Sequence, residues 1–182
     1  ELTIVVVIMG ILAALAVYGV NQYLDSAKIS EAREIIASTM AGQEAYYDET
    51  GAYLDFTGGV SDNDFYPRDA TFDGSKVIQW GELADGCNGG NGQGCGANFA
   101  RLGVTVSGGV RFRYASTDYA AGATAPLPGN YLDGYNGGGV TSPTPGYVVV
   151  ALTNLDGVND ADRTALVGSN IQAQIYLQGA GL

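Results

Sequence analysis

The chain has 182 residues, 8 Lys and Arg, 19 Asp and Glu, no His and a formal net charge of −11 at pH 7. Clustered cations that could bind nucleic acid are missing, as are the commonest general base and the commonest metal ligand. We therefore expect no direct nucleic-acid binding and no enzymatic activity, and the length suits one domain with an appendage.

The first predicted element is the apolar stretch "ELTIVVVIMGILAALAVYGV", residues 1 to 20, in which Glu1 precedes nineteen uncharged residues. As a helix these nineteen residues extend about 28 Å, close to a hydrocarbon core of about 30 Å. A cleavable secretory signal would instead need a basic start and a small-residue cleavage site. The stretch therefore predicts a helix that can span a membrane.

The helix continues beyond this stretch as an amphipathic segment. Apolar residues recur from 29 to 47 at steps of three, four and seven, while charged residues occupy other faces. The predicted buried stripe consists of Ile29, Ala32, Ile36, Met40 and Tyr47. Residues 1–50 are therefore predicted to form one helix that stops at Gly51, with residues 1–24 compatible with lipid.

Beyond the helix the chain is rich in glycine. Residues 51–100 are predicted to be a loop region, and residues 101–182 a β head. Alternating or continuous apolar runs predict strands at 101–106, 110–115, 147–152 and 171–177, the first two joined as a hairpin through 107–109. The predicted fold class is α+β, with the long helix packed on a small antiparallel sheet of about four strands and long Gly-rich loops.

The two cysteines, Cys87 and Cys95, lie close together in "CNGGNGQGC". A zinc site needs about four ligands, and neither His nor further Cys is present to complete one. A disulfide that closes this small loop in an oxidising compartment and a pair of free thiols both remain open.

An acidic stretch, "TNLDGVNDADRTAL" at 153–166, could provide oxygen ligands for a cation. The candidate calcium ligands are Asn154, Asp156, Asn159, Asp160 and Asp162. Closely spaced oxygen atoms around a turn-forming Gly suit Ca²⁺, although the regular alternation and terminal Glu of an EF-hand are missing. A calcium site and a solvated acidic turn both remain open, and no other cofactor is expected.

Glu1 followed by "LTIVVVIMGILAALA" resembles the N-terminal segment of type IV pilins and of the related pseudopilins of type II secretion. In that family a peptidase site follows a Gly, then come about four residues, a nearly invariant Glu and an apolar helix with a Gly-Ile-Leu-Ala-Ala run. The resemblance covers roughly the first 25 residues and is architectural afterwards. It implies a pilin-like fold, a methylated N-terminus, and processing by a prepilin peptidase and the pilus assembly machinery.

The resemblance also implies roles for residues of the apolar segment. Glu1 would neutralise the terminal amine of a neighbouring copy as the chain leaves the inner membrane and joins a fibre. Small residues such as Gly10 and Gly19 permit close helix packing. Where the family often has a proline, this chain has Tyr18 followed by Gly19, so we expect local loss of helix between Gly10 and Tyr23 in the filament.

Three functions are consistent with these patterns. The first is a subunit of a type IV pilus-like extracellular filament, a homopolymer whose precursor resides in the inner membrane. The second is a major pseudopilin of type II secretion, which the calcium stretch favours because major pseudopilins use a calcium loop near the C-terminus. The third is a membrane-anchored binding module that does not polymerise.

Overall fold

The computed structural model describes residues 2–55, 64–67, 76–81, 94–125, 141–154, 164–171 and 175–179. Two helices and six strands lie in these ranges. In chain order they are α1 (Leu2–Thr50), β1 (Ile78–Gln79), α2 (Cys95–Arg101), β2 (Gly109–Val110), β3 (Arg113–Tyr119), β4 (Gly146–Thr153), β5 (Thr164–Ser169) and β6 (Tyr176–Gln178). The α+β class is confirmed: a 49-residue helix packs on antiparallel sheets.

Helix α1 runs without interruption and ends where the sequence predicts. Gly51 has a φ of +77°, a conformation that glycine adopts without steric cost, and its N–H donates to the Tyr47 carbonyl oxygen at 2.8 Å. At about 1.5 Å per residue, α1 is about 74 Å long. The helix is therefore far longer than its packed part, whose buried residues extend from Ile29 to Gln43.

The main sheet is an antiparallel meander with the order β3-β4-β5-β6, so each strand pairs with the next along the chain. β3 and β4 pair from Arg113 opposite Leu152 to Tyr119 opposite Gly146. A separate two-stranded sheet pairs β1 with β2. The four-stranded sheet agrees with the predicted size, and α1 packs on it through β4 and β5.

The second half of α1 buries one face against this sheet. Of the predicted stripe, Ile29, Ala32 and Ile36 are buried, and Met40 is partly buried against the same core. Tyr47 is also partly buried and stacks on Tyr53, with ring centroids 4.4 Å apart. The structure adds three buried positions to the stripe, namely Ile35, Thr39 and Gln43.

The opposite face of the sheet is covered as well. All eight residues of β4 are buried, and a second apolar cluster contains Val148 and Val150 of β4 together with Phe65 and Ala125 from outside the sheet. The alternation in 110–115 predicts a solvent-facing side, but Arg113 is only 3% exposed. The side chains alternate between the two faces of a strand, which places Arg113 on the face away from α1. Residues outside the sheet cover that face, so Arg113 is buried there.

One strand prediction is wrong, and one strand of the sheet was not predicted. Residues 101–106 are not a strand: Arg101 ends α2, and the predicted hairpin through 107–109 is replaced by pairing of β2 with β1. Strand β5 was not predicted, because its Gly168 and Ser169 favour a turn in the sequence. In the fold a Cβ at Gly168 would lie 2.6 Å from Sδ of Met40, so glycine permits close packing of sheet on helix.

Four aromatic side chains, Tyr66, Trp80, Phe99 and Tyr114, hold the remaining elements together. Trp80 contacts the other three, with ring centroids 5.0 Å from Tyr66, 5.1 Å from Phe99 and 5.8 Å from Tyr114. Burial raises the pKa of Tyr114 far above its ordinary value, and the Glu31 carboxylate raises it further. This cluster joins α2 and β1 to the core near β3.

A buried amide, Gln43, connects α1 to two other segments. Its Oε1 accepts from the Leu54 N–H at 2.9 Å, and its Nε2 donates to the Leu54 carbonyl oxygen at 2.8 Å. The same Nε2 donates to Oγ of Ser116 on β3 at 3.1 Å. Gln43 is completely buried, so these bonds compensate for the removal of its polar atoms from water.

Replacing Gln43 with Ala is expected to destabilise the head by about 2–4 kcal/mol, because a buried peptide N–H and C=O lose their partners. The measurement is urea unfolding of the full chain in detergent micelles, followed by near-ultraviolet circular dichroism. Gln22 is exposed on the same helix, so Gln22→Ala is the matched control and should change stability little. Equal effects of the two substitutions would contradict the role of Gln43.

Leu102 of the head approaches α1 so closely that position 42 needs a glycine. A Cβ at this position would collide with the Leu102 carbonyl oxygen and lie 2.8 Å from the Leu102 Cβ. Gly42→Ala is therefore expected to lower the free energy of unfolding by about 1–2 kcal/mol, since overpacking outweighs the gain in helix propensity. Gly19→Ala is the control, because a Cβ there meets nothing within 4 Å.

Candidate assembly and membrane segment

The first half of α1, residues 2–24, has no packing partner among the described residues of the chain. Its large apolar side chains are 49% to 80% exposed. They are Leu2, Ile4, Val5, Val6, Val7, Ile8, Met9, Ile11, Leu12, Leu15, Val17, Tyr18, Val20, Tyr23 and Leu24. We call residues 2–24 the exposed segment.

The exposed segment is apolar on every side. Four consecutive apolar residues, 5 to 8, already project in all directions around a helix with 3.6 residues per turn. A helix that is hydrophobic all round is stable when it is surrounded, either by lipid or by several protein neighbours. One partner that packs on one side would leave the other sides in water.

The length of the exposed segment fits a bilayer. It extends about 34 Å at about 1.5 Å per residue, against a hydrocarbon core of about 30 Å. By length and composition α1 qualifies as a membrane-spanning helix: the most apolar 18-residue window has a mean hydropathy of 2.6, and none of that window is buried. Burial by lipid would stabilise the apolar surface that the head leaves uncovered.

An ion pair stands between the exposed segment and the head. Lys28 Nζ lies 2.7 Å from Oδ1 of Asp25, one helical turn earlier, and the first buried residue of α1 is Ile29. Two residues later, Oε1 of Glu31 accepts from the Arg111 N–H at 3.2 Å. The polar contacts therefore begin where the apolar segment ends, so the two environments of α1 meet near residue 25.

Three of the four predicted assembly residues belong to the described part of α1. Gly10, Tyr18 and Gly19 all lie in the exposed segment, and a Cβ at either glycine would meet nothing within 4 Å. Glu1 lies outside the described residues. In the single chain the helix is continuous from Leu2 to Thr50, so the expected loss of helix after Gly10 stays a prediction about the filament.

The two other predicted sites fall largely outside the described residues. Cys95 is buried at the start of α2 and is not a free thiol, but Cys87 is not described, so the disulfide stays a prediction. Asn154 is buried directly after β4. The other candidate calcium ligands, Asp156, Asn159, Asp160 and Asp162, are not described, so that site also stays a prediction.

Sequence reasoning missed Gln43 and Gly42, which fix the head to α1. A signal for Gln43 was present: it lies seven residues after Ile36, so a polar residue continues the buried stripe. Gly42 offered no such signal, because a helix position gives no indication of which distant backbone approaches it.

Comparison with models of known protein families, with curated proteins and with solved structures found no match for this chain. The architecture itself is pilin-like: a long N-terminal helix, half of it apolar and exposed, packs by its other half on a small antiparallel sheet. The exposed segment is compatible with membrane anchoring.

A chain that starts at residue 25 is expected to fold with the same near-ultraviolet circular dichroism as the full chain, because the buried residues of α1 begin at Ile29. It should also lose the ability to float with lipid vesicles in a density gradient, since the exposed segment supplies the apolar surface. Flotation of the shortened chain at the level of the full chain would contradict this division of α1.

Proposed function

We propose that this protein is a structural subunit that polymerises into a bacterial type IV pilus-like extracellular filament. The observation that carries the proposal is the exposed segment, an all-round apolar half-helix that continues without a break into the helix packed on a folded head. Such a segment needs to be surrounded, and a membrane and the interior of a helical polymer both satisfy that need. We propose a structural role, without catalysis.

The exposed segment would serve in two successive environments. In the precursor it spans the inner membrane, and after assembly the same surface packs against other copies in the filament core. Copies related by one repeated contact that does not close form an open helical polymer. Gly10, Gly19 and the alanines between them present little side-chain bulk, which permits close approach of neighbouring helices.

Glu1 would supply the specificity of assembly. A lone carboxylate at the centre of a lipid bilayer costs about 2.5–3.5 kcal/mol on insertion scales, so it favours a site where a positive group faces it. By resemblance to the pilin family, that group is the terminal amine of a neighbouring copy. A charge pair between helices in a low-dielectric filament core fixes their register more than it adds stability.

A pseudopilin of type II secretion is the second candidate, favoured by the acidic stretch at 153–166. It shares the helix and the assembly mechanism, but it forms a short fibre that does not extend from the cell under normal expression. A membrane-anchored binding module that never polymerises is the third. In that case lipid alone covers the exposed segment.

Electron microscopy of fibres sheared from cells that express the chain separates these candidates. Long fibres that contain the chain support the filament, fibres only on overexpression support the pseudopilin, and no fibres at either level support the binding module. Expression at two levels and immunogold labelling of the head make the three outcomes distinct.

Glu1→Ala is expected to abolish fibres while membrane insertion persists, because the other residues of the apolar stretch are unchanged. Fibre yield after shearing and membrane fractionation of the same cells give the two measurements. Glu34→Ala removes an exposed carboxylate from the outer face of α1 and is the matched control. Fibre yield at the wild-type level in Glu1→Ala would rule out the charge pair.

A further inference from the structure

The second half of α1 has an exposed face opposite the one that packs on the sheet. Six exposed residues recur along this face at steps of three and four, so they project within about 80° of one another around a helix with 3.6 residues per turn. They are Ser30, Arg33, Ala37, Ala41, Glu44 and Asp48, and we call them the outer stripe.

The charges of the outer stripe are separated along the helix. Arg33 lies near its start, whereas Glu44 and Asp48 lie at its end, and the small side chains of Ala37 and Ala41 stand between them. Glu44 is eleven positions after Arg33, or about 17 Å, and Asp48 is fifteen positions after it, or about 23 Å. Within one chain these opposite charges are therefore too far apart to pair.

Arg33 forms no ion pair among the described residues. The residues three and four positions before and after it carry no charge, and Glu34 projects about 100° further around the helix. The ion pair of α1 joins the other cation of the helix, Lys28, to Asp25. The guanidinium of Arg33 is therefore available to bind a carboxylate of another molecule.

Glu44 and Asp48 are unfavourably placed in the single chain. They lie four residues apart on one helix, where like charges repel. Asp48 also belongs to the last turn of α1, which has no basic residue and whose carbonyl groups carry partial negative charge. The Tyr53 hydroxyl donates to the Glu44 carboxylate at 3.3 Å, but this contact brings no positive charge. A cation from another molecule would relieve both unfavourable interactions.

We propose that the outer stripe is a contact between neighbouring copies in the filament, in which Arg33 of one copy faces Glu44 and Asp48 of the next. The inference rests on the proposed function, because copies that leave one membrane have parallel helices. Parallel helices without an axial shift would place like charges beside each other. A shift of about 17–23 Å brings opposite charges together, so the charge pattern selects the register of the two copies.

The same shift covers apolar surface. With a shift of eleven positions, residues 13–24 of the copy that supplies Arg33 lie level with residues 24–35 of the copy that supplies the acids. The end of the exposed segment thereby lies alongside another helix, and small side chains such as those of Ser30 and Ala37 permit close approach. Each copy uses its arginine toward one neighbour and its acids toward another, so the contact repeats without closing.

Zero-length cross-linking of sheared fibres tests this register. Arg33→Lys keeps the positive charge and supplies an amine that a carbodiimide couples to a carboxylate in direct contact with it. Within one copy the amine is held about 17 Å or more along a continuous helix from Glu44 and Asp48, so a link to either joins two copies. We expect a ladder of dimers, trimers and larger species on a denaturing gel, with the links mapped to these two acids by mass spectrometry.

Wild-type fibres treated in the same way are the control, because they lack the introduced amine and show the background of other links. Products that stop at the dimer would indicate a closed pair of copies and would overturn the repeated contact. Links of the introduced lysine to other carboxylates alone would overturn the register.

Charge reversal provides a second measurement. Arg33→Glu places three like charges at the contact, so we expect fibre yield to fall about tenfold or more. Adding Glu44→Arg and Asp48→Arg to the same chain should restore the yield, because opposite charges face each other again. Arg101→Glu reverses an exposed arginine of α2 and is the matched control.

The outcomes separate this inference from the proposed function. Fibre yield at the wild-type level in Arg33→Glu, or an equal loss in Arg33→Glu and the triple variant, would overturn the contact and leave the filament in place. Absence of fibres from cells that express the wild-type chain would overturn both.

Discussion

One constraint governs this molecule: the apolar surface of α1 must leave water along its whole length, but the head covers only its second half. From Ile29 onward one face of the helix packs on the sheet. From residue 2 to residue 24 the described part of the chain covers nothing. One continuous helix therefore has two separate parts. The second half stabilises the folded head, and the first half needs surroundings other than water.

The head is organised around that helix and does not have a polar outer face on its central strand. β4 is buried on both sides, by α1 on one and by the cluster that contains Phe65 and Ala125 on the other. Antiparallel sheets commonly face water on one side. Here Phe65 and Ala125, which lie outside the sheet, cover the side of β4 that faces away from α1.

The sequence predicts the helix, its end at Gly51 and the α+β class, because these depend on local signals: a long apolar run, a helical period and a glycine stop. Contacts between distant residues were harder to predict. The bond of Gln43 to Leu54 and the approach of Leu102 to Gly42 join segments far apart in the chain, and no periodicity encodes them. Strand β5 was missed because Gly168 is there for packing on Met40 and looks like a turn signal in the sequence.

The continuity of α1 has a mechanical consequence. A pull on the exposed segment acts along the helix axis and loads the interface with the head, whose buried helix residues extend from Ile29 to Gln43. Fourteen helical positions after Ile29 correspond to about 21 Å, over which side-chain packing, the Glu31 contact and the Gln43 hydrogen bonds are loaded together. Contacts loaded together share the force, so the head resists detachment by sliding more strongly than by peeling from one end.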